Sequence, residues 1–166
     1  IEEVNVALAE NQILFTTEDT YFYSRLLEGK YPQTDQLIPE ESSTQLTLDV
    51  QTLKGAVGRT SLLSHAGKNN VVKLSVTDDH IQLTSNSPEV GFVEEDVPCK
   101  SISGDEVEIS FNPDYLRDAL NTFESGEVTL KLISTLRPFV IVPAESENNY
   151  DFVQLITPIR TSAAAR

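Results

Sequence analysis

The sequence predicts an α+β fold built from a repeated β-α-β-β-β unit with antiparallel sheets. The first observation behind this is a hairpin phrase written three times: Glu3–Leu8 up to Ile13–Thr16, Val72–Val76 up to Ile81–Thr84, and Glu127–Leu132 up to Phe139–Ile141. In each copy apolar and polar residues alternate, which puts one side of a pleated strand on a core and the other in water. The second observation is a pair of helix signals, each following a strand. The third is the order from Thr44 to Arg160, which reads strand, helix, several strands, and then the same again. Such a chain is a sheet-rich array rather than one closed enzyme core.

Residues 1–38 read as strands and turns: the first hairpin, then Tyr21–Leu27, then the turn Glu28-Gly29-Lys30-Tyr31-Pro32. Pro39-Glu40-Glu41-Ser42-Ser43 is polar, opens with Pro and separates two apolar runs, so it reads as the linker. Gln45–Leu48 is a short strand, and Asp49 caps a helix over 50–64 with Leu53, Val57 and Leu63 inward. Gly55 and Gly58 each weaken that helix by about 1 kcal/mol relative to Ala, and close packing on a sheet or helix would explain them. The second helix, 113–124, has Asn112 as cap, Pro113 in its first turn and an apolar stripe of Leu116, Ala119, Leu120 and Phe123. Glu145–Asn149 is a solvated loop before a last strand from Tyr150 to Arg160. Residues 162–166 lack alternation and read as either a flexible tail or an engineered scar.

The chain has 166 residues, a net charge of −14, one Cys and no Met. Without Met, and opening directly before an edge-type strand, it reads as a fragment of a longer protein. The single Cys99 forms no internal disulfide, and no stretch resembles a signal peptide or membrane span, so the expected setting is cytoplasmic. A uniformly acidic body repels phosphate, so any nucleic-acid role depends on charge placement.

Little in the sequence points to catalysis. His65 and His80 have no metal-ligand spacing with Cys or each other, and Cys99 has no partner motif. Asp78, Asp79, Glu94 and Glu95 could ligate a hard cation in a metal-dependent hydrolase, but adjacent strand residues point to opposite faces and Asp78-Asp79 sits at a turn. No Gly-rich phosphate loop, G-x-S-x-G or Walker lysine is present. No cofactor and no metal are expected. The rival readings are that hydrolase and a sheet-rich adaptor that never meets DNA.

Four segments, in order, carry a family resemblance: Leu27–Pro32 with Leu37-Ile38-Pro39, Phe111-Asn112-Pro113-Asp114-Tyr115-Leu116, Leu136–Phe139, and Gln154–Arg160. Together they resemble the bacterial DNA polymerase III beta subunits, the replicative sliding clamps. The resemblance implies the DNA clamp fold, with sheets outside and helices on the inner face of a ring of two three-domain subunits around duplex DNA. It makes residues 1–43 the latter half of the middle domain plus linker, and 44–161 the complete C-terminal domain. It further implies a non-catalytic processivity factor of the DNA-directed DNA polymerase, tethering polymerase, clamp loader and repair polymerases at high effective concentration.

The resemblance also places functional residues. A hydrophobic cleft for partner peptides maps to Pro32, Gln36, Leu37, Asn112, Tyr115, Leu136, Pro138, Leu155, Ile156, Thr157, Pro158, Ile159 and Arg160. One of Leu155 and Ile156 must instead be strand core. Gln36, where many clamps carry Arg, and Thr157, where a larger apolar residue is common, soften that cleft. Lys54, Arg59 and Arg117 would face DNA from the helices, or be ordinary solvated helix residues. Leu62, Leu63, Glu94 and Glu95 match the ring-closing interface of the homodimer, whose counterpart lies in the first domain; the fragment by itself is expected to be monomeric.

Overall fold

The computed structural model describes residues 3–39, 41–66, 70–124, 126–144 and 152–161, the side chain of Asp35 excepted. Two compact units result, Ile1–Thr34 and Asp35–Arg166, the division falling ahead of the Pro39–Ser43 stretch that the sequence marks as linker. In the first, strands β1 (Asn5–Leu8), β2 (Gln12–Thr16) and β3 (Tyr21–Arg25) form an antiparallel meander. Val6 pairs with Phe15 and Phe15 with Phe22, so these side chains share one face, and the Phe15 and Phe22 rings lie 6.1 Å apart. No described residue of this unit is fully buried.

The second unit contains the repeat. Its first copy is β4 (Thr44–Asp49), α1 (Val50–Ala66), β5 (Val72–Val76), β6 (Ile81–Ser87), β7 (Gly91–Asp96) and β8 (Ser101–Gly104). The second copy is β9 (Val107–Phe111), α2 (Pro113–Asn121), β10 (Glu127–Leu132), β11 (Phe139–Pro143) and β12 (Gln154–Ile156). The copies exchange their leading strands: β4 lies beside β10 of the second copy, and β9 beside β5 of the first. This produces the antiparallel sheets β12-β11-β10-β4-β8 and β7-β6-β5-β9. Strand β8, which the sequence pattern did not single out, returns to pair with its own leading strand, Leu46 opposite Ile102. Its counterpart in the second copy is a single bridge from Pro158 to Phe111.

That bridge corrects the terminal strand. Of the expected run from Tyr150 to Arg160, Tyr150 and Asp151 lie outside the described residues, and regular pairing covers only Gln154–Ile156. Pro158 has no N–H to extend the ladder. The next N–H, of Ile159, goes instead to the Ser110 carbonyl at 2.7 Å, on the other sheet.

Helix α1 starts where Asp49 Oδ1 accepts the Thr52 N–H and hydroxyl, both at 2.8 Å. Its buried residues are Val50, Leu53, Ala56, Val57, Thr60, Ser61 and Ser64, while Leu63 is only half-buried. The 3.6-residue period carries the inward stripe from Val57 to Thr60 and Ser64, leaving Leu63 on its margin. The buried hydroxyls return to the helix backbone: Thr60 to the Ala56 carbonyl at 2.9 Å, Ser61 to Gly58 at 2.8 Å and Ser64 to Ser61 at 2.9 Å. In α2, Asn112 Oδ1 accepts the Asp114 N–H at 2.9 Å with Pro113 in the first turn. The helix ends at Asn121, short of the expected 124, and the Thr122 hydroxyl and N–H both return to the Ala119 carbonyl, at 2.6 and 3.1 Å. Both sheets and both helices share one core, in which Phe111 of β9 meets Phe139 of β11 edge-on with centroids 5.6 Å apart.

Candidate functional site

The two helices pack on each other and turn their buried stripes to the core, which leaves one open helical face. Lys54 and His65, eleven residues and three turns apart, fall on nearly the same flank of α1. His65 Nε2 reaches the Asp114 carboxylate of α2 at 3.0 Å, so this flank is the one turned to α2. Asp114 also accepts a bond from Asn70 Nδ2 and pairs with Arg117 Nη2 at 2.7 Å. The bond from His65, aided by that from Asn70 and by the His65 and Arg117 charges, holds the Asp114 carboxyl below its ordinary value against a smaller opposing effect of burial.

Arg59 belongs elsewhere. Its guanidinium grips the Glu95 carboxylate on β7 through Nε, at 2.9 and 3.0 Å, and through Nη2. A Cβ on Gly55 would lie 3.3 Å from Arg59 Nη1, so the helix surface is bare where the guanidinium rests. The expected close packing on a sheet or helix is thus not what surrounds Gly55, whose neighbour is a side chain of its own helix; nothing lies within 4 Å of the equivalent position on Gly58, and the structure does not explain that glycine. Of the three residues expected to face DNA, Arg59 and Arg117 are therefore engaged with carboxylates, while Lys54 makes no ion pair among the described residues.

Strand β7 is the edge of its sheet, and Glu94 and Glu95 lie on its opposite faces. Glu95 turns to α1 and Arg59, whereas Glu94 accepts a bond from Gln82 on the outer face. The two cannot form one acidic rim, nor can they join Asp78 and Asp79, at the β5–β6 turn, around a metal. Among the described residues no group of three or more His, Cys, Asp or Glu is placed to hold a metal ion. His80 is bonded to Asp96 at 3.1 Å, and Cys99, its thiol pushed up by burial, donates to the Thr47 and Ser101 carbonyls. Two exposed apolar groups stand on different elements: Leu62 of α1 at 72%, and Phe92 at 61% on the face of β7 that carries Glu94, which the sequence pattern had not marked.

Most of the third group of residues lies around α2, β12 and the end of β9. Helix α2 packs on β12, and the two are tied by Phe123 against Phe152, 5.2 Å between centroids, and by Gln154 Nε2 to Thr122 Oγ1 at 3.4 Å. Ile156 pairs with Phe139 and is 4% exposed, so it is the core member of its pair, and half-buried Leu155 faces the other way. Pro138 precedes Phe139 and Thr157 follows Ile156, so the strand pairing delivers both to one end. There Pro158 and Ile159 cross to β9, directly before Asn112, while Tyr115 stands 57% exposed on α2 and Leu136 44% exposed in the β10–β11 loop. Arg160 is exposed. Gln36 and Leu37 are exposed ahead of β4, and Pro32 belongs to the first compact unit.

Residues 35–160 match the family model for the DNA polymerase III beta subunit, C-terminal domain. The chain belongs to the DNA polymerase III beta subunit family. A curated relative is the beta sliding clamp of Streptococcus pneumoniae strain TIGR4, 46% identical over 162 residues, 98% of this chain and 42% of the relative. Among solved structures, the DNA polymerase III beta chain of that organism superposes with a TM-score of 0.83 at 46% identity, over 95% of this chain and 41% of the other. The DNA polymerase sliding clamp of Bacillus subtilis superposes at 0.80 with 42% identity, over 95% and 41% respectively. The repeated unit with exchanged leading strands is thus the domain fold of the beta sliding clamps, and the chain spans less than half the length of these relatives. No helix among the described residues is long and apolar enough to cross a membrane.

Proposed function

We propose that this chain acts as the C-terminal part of a ring-shaped beta sliding clamp that encircles duplex DNA without sequence preference and tethers the replicative polymerase. The match of residues 35–160 to the C-terminal domain of the family carries this reading. In it, residues 1–43 close the middle domain, 44–161 form the C-terminal domain, and 162–166 lie beyond the fold. The role is non-catalytic and cytoplasmic: processivity comes from topological linkage, which raises the polymerase's local concentration at the primer end. The open helical face with Lys54 and Arg117 turns to the duplex. The β7 edge with Phe92, together with Leu62 of α1, closes the ring against a second protomer. An apolar notch of Tyr115, Leu136, Pro138, Leu155 and Pro158 receives linear motifs of polymerase, clamp loader and repair polymerases, with a buried strand beneath and a proline that fixes the rim.

The test uses a chimera in which this chain replaces the matching part of the Streptococcus pneumoniae clamp. Loaded on nicked circular duplex, it stays bound through a high-salt wash and leaves when the circle is cut. Release at the same rate from circle and line refutes encirclement.

A further inference from the structure

We propose that Asp114 governs how strongly the helical face holds a phosphate chain, by keeping the guanidinium of Arg117 engaged. The inference rests on the reading that this face surrounds DNA. A single carboxylate here receives side-chain donors from three places: His65 near the end of α1 at 3.0 Å, Asn70 ahead of β5, and Arg117 one turn along α2 at 2.7 Å. The cluster straddles the seam between the helices, and all three ionisable members keep solvent contact, 42% for His65, 28% for Asp114 and 40% for Arg117. An approaching phosphate meets a guanidinium whose charge is already answered, and full contact requires Arg117 to leave Asp114.

That balance suits a ring that must move. Each phosphate neutralised by a free cation adds a salt-dependent hold on DNA, and a clamp carrying several such contacts would stall. Arg59 obeys the same logic at the β7 side of α1, where Glu95 holds it in a two-oxygen grip. On a chain of net charge −14, carboxylates paired with the helix arginines therefore act as local brakes on attraction as well as a general repulsion.

The experiment follows single labelled chimeric rings diffusing along stretched duplex DNA. Asp114→Asn keeps the side chain's size and one acceptor oxygen but removes the charge that holds Arg117; Asp114→Ser, another small polar residue for the first turn, serves should the Asn variant fold poorly. The released arginine gains one phosphate contact. The variant should diffuse more slowly than its parent at about 50 mM salt, and since affinity through one phosphate contact falls roughly 3.5-fold by about 200 mM, the slowing should shrink there. Adding Arg117→Ala should abolish the slowing. Equal diffusion of variant and parent at both salts overturns the inference, as does slowing that persists without Arg117, which would mark a net-charge effect alone. Rings that are not retained on closed circles overturn the encircling reading itself, a result read before any diffusion is measured.

Discussion

Gly104→Ala is the sharpest available test of how the repeat closes on itself. Gly104 ends β8 with φ of +101°, and a Cβ there would lie 1.8 Å from the Ser43 carbonyl oxygen and 2.9 Å from Thr44 Cα. The neighbouring atoms are backbone and cannot rotate away. An L-residue in left-handed territory costs about 1–2 kcal/mol by itself. Relieving the overlap moves Ser43 by more than an ångström, which breaks the 3.1 Å bond from the Asp105 N–H to the Ser43 carbonyl and strains the 2.6 Å bond from the Thr44 hydroxyl to the Asp105 carbonyl. At about 1 kcal/mol each, those losses bring the total to roughly 3–4 kcal/mol. With a urea slope of about 2 kcal/mol per molar, the unfolding midpoint should fall by about 1.5–2 M. Gly126→Ala is the control, since Gly126 has φ of +96° but nothing within 4 Å of the added carbon, and only the dihedral cost applies. If the two variants unfold at the same urea concentration, the β8 closure is not the tight contact described.

Three further outcomes follow from the candidate surfaces. Tyr115→Ala should weaken binding of a labelled Q-L-x-L-F-type peptide about tenfold, near 1.4 kcal/mol, measured by fluorescence anisotropy, while the melting curve stays put because the ring is 57% exposed. Leu62→Ala, at a residue 72% exposed, should change folding by less than about 0.5 kcal/mol yet raise ring dissociation of the chimeric clamp in sedimentation; an unchanged dimer refutes its interfacial role. The Asp114 carboxyl is held below its ordinary value of 3.8, chiefly by the bond from His65. Its contribution is therefore full above the unfolded value and disappears as pH falls through the lower folded one. Asp114→Asn should flatten the acid limb of stability against pH, and identical limbs would show that the His65 bond does not form in solution.

Much of the molecule was legible in the order of residues. Asp49 and Asn112 are short acceptors placed before apolar stripes, and each caps the helix it announces, because capping is a contact over two or three residues. Alternation in Val72–Val76 and Glu127–Leu132 marks strands for the same local reason. The family was legible too, in short segments of which three, 111–116, 136–139 and 154–160, lie within the matched residues 35–160. What local pattern does not hold is partnership across distance. That Arg59 grips Glu95, thirty-six residues on, that Ile156 rather than Leu155 enters the core, and that the two copies trade leading strands all depend on which surfaces meet. Charge sign and periodicity place a side chain on a face; only the packed sheets and helices determine what stands opposite it, and so whether an arginine is open to phosphate or already engaged.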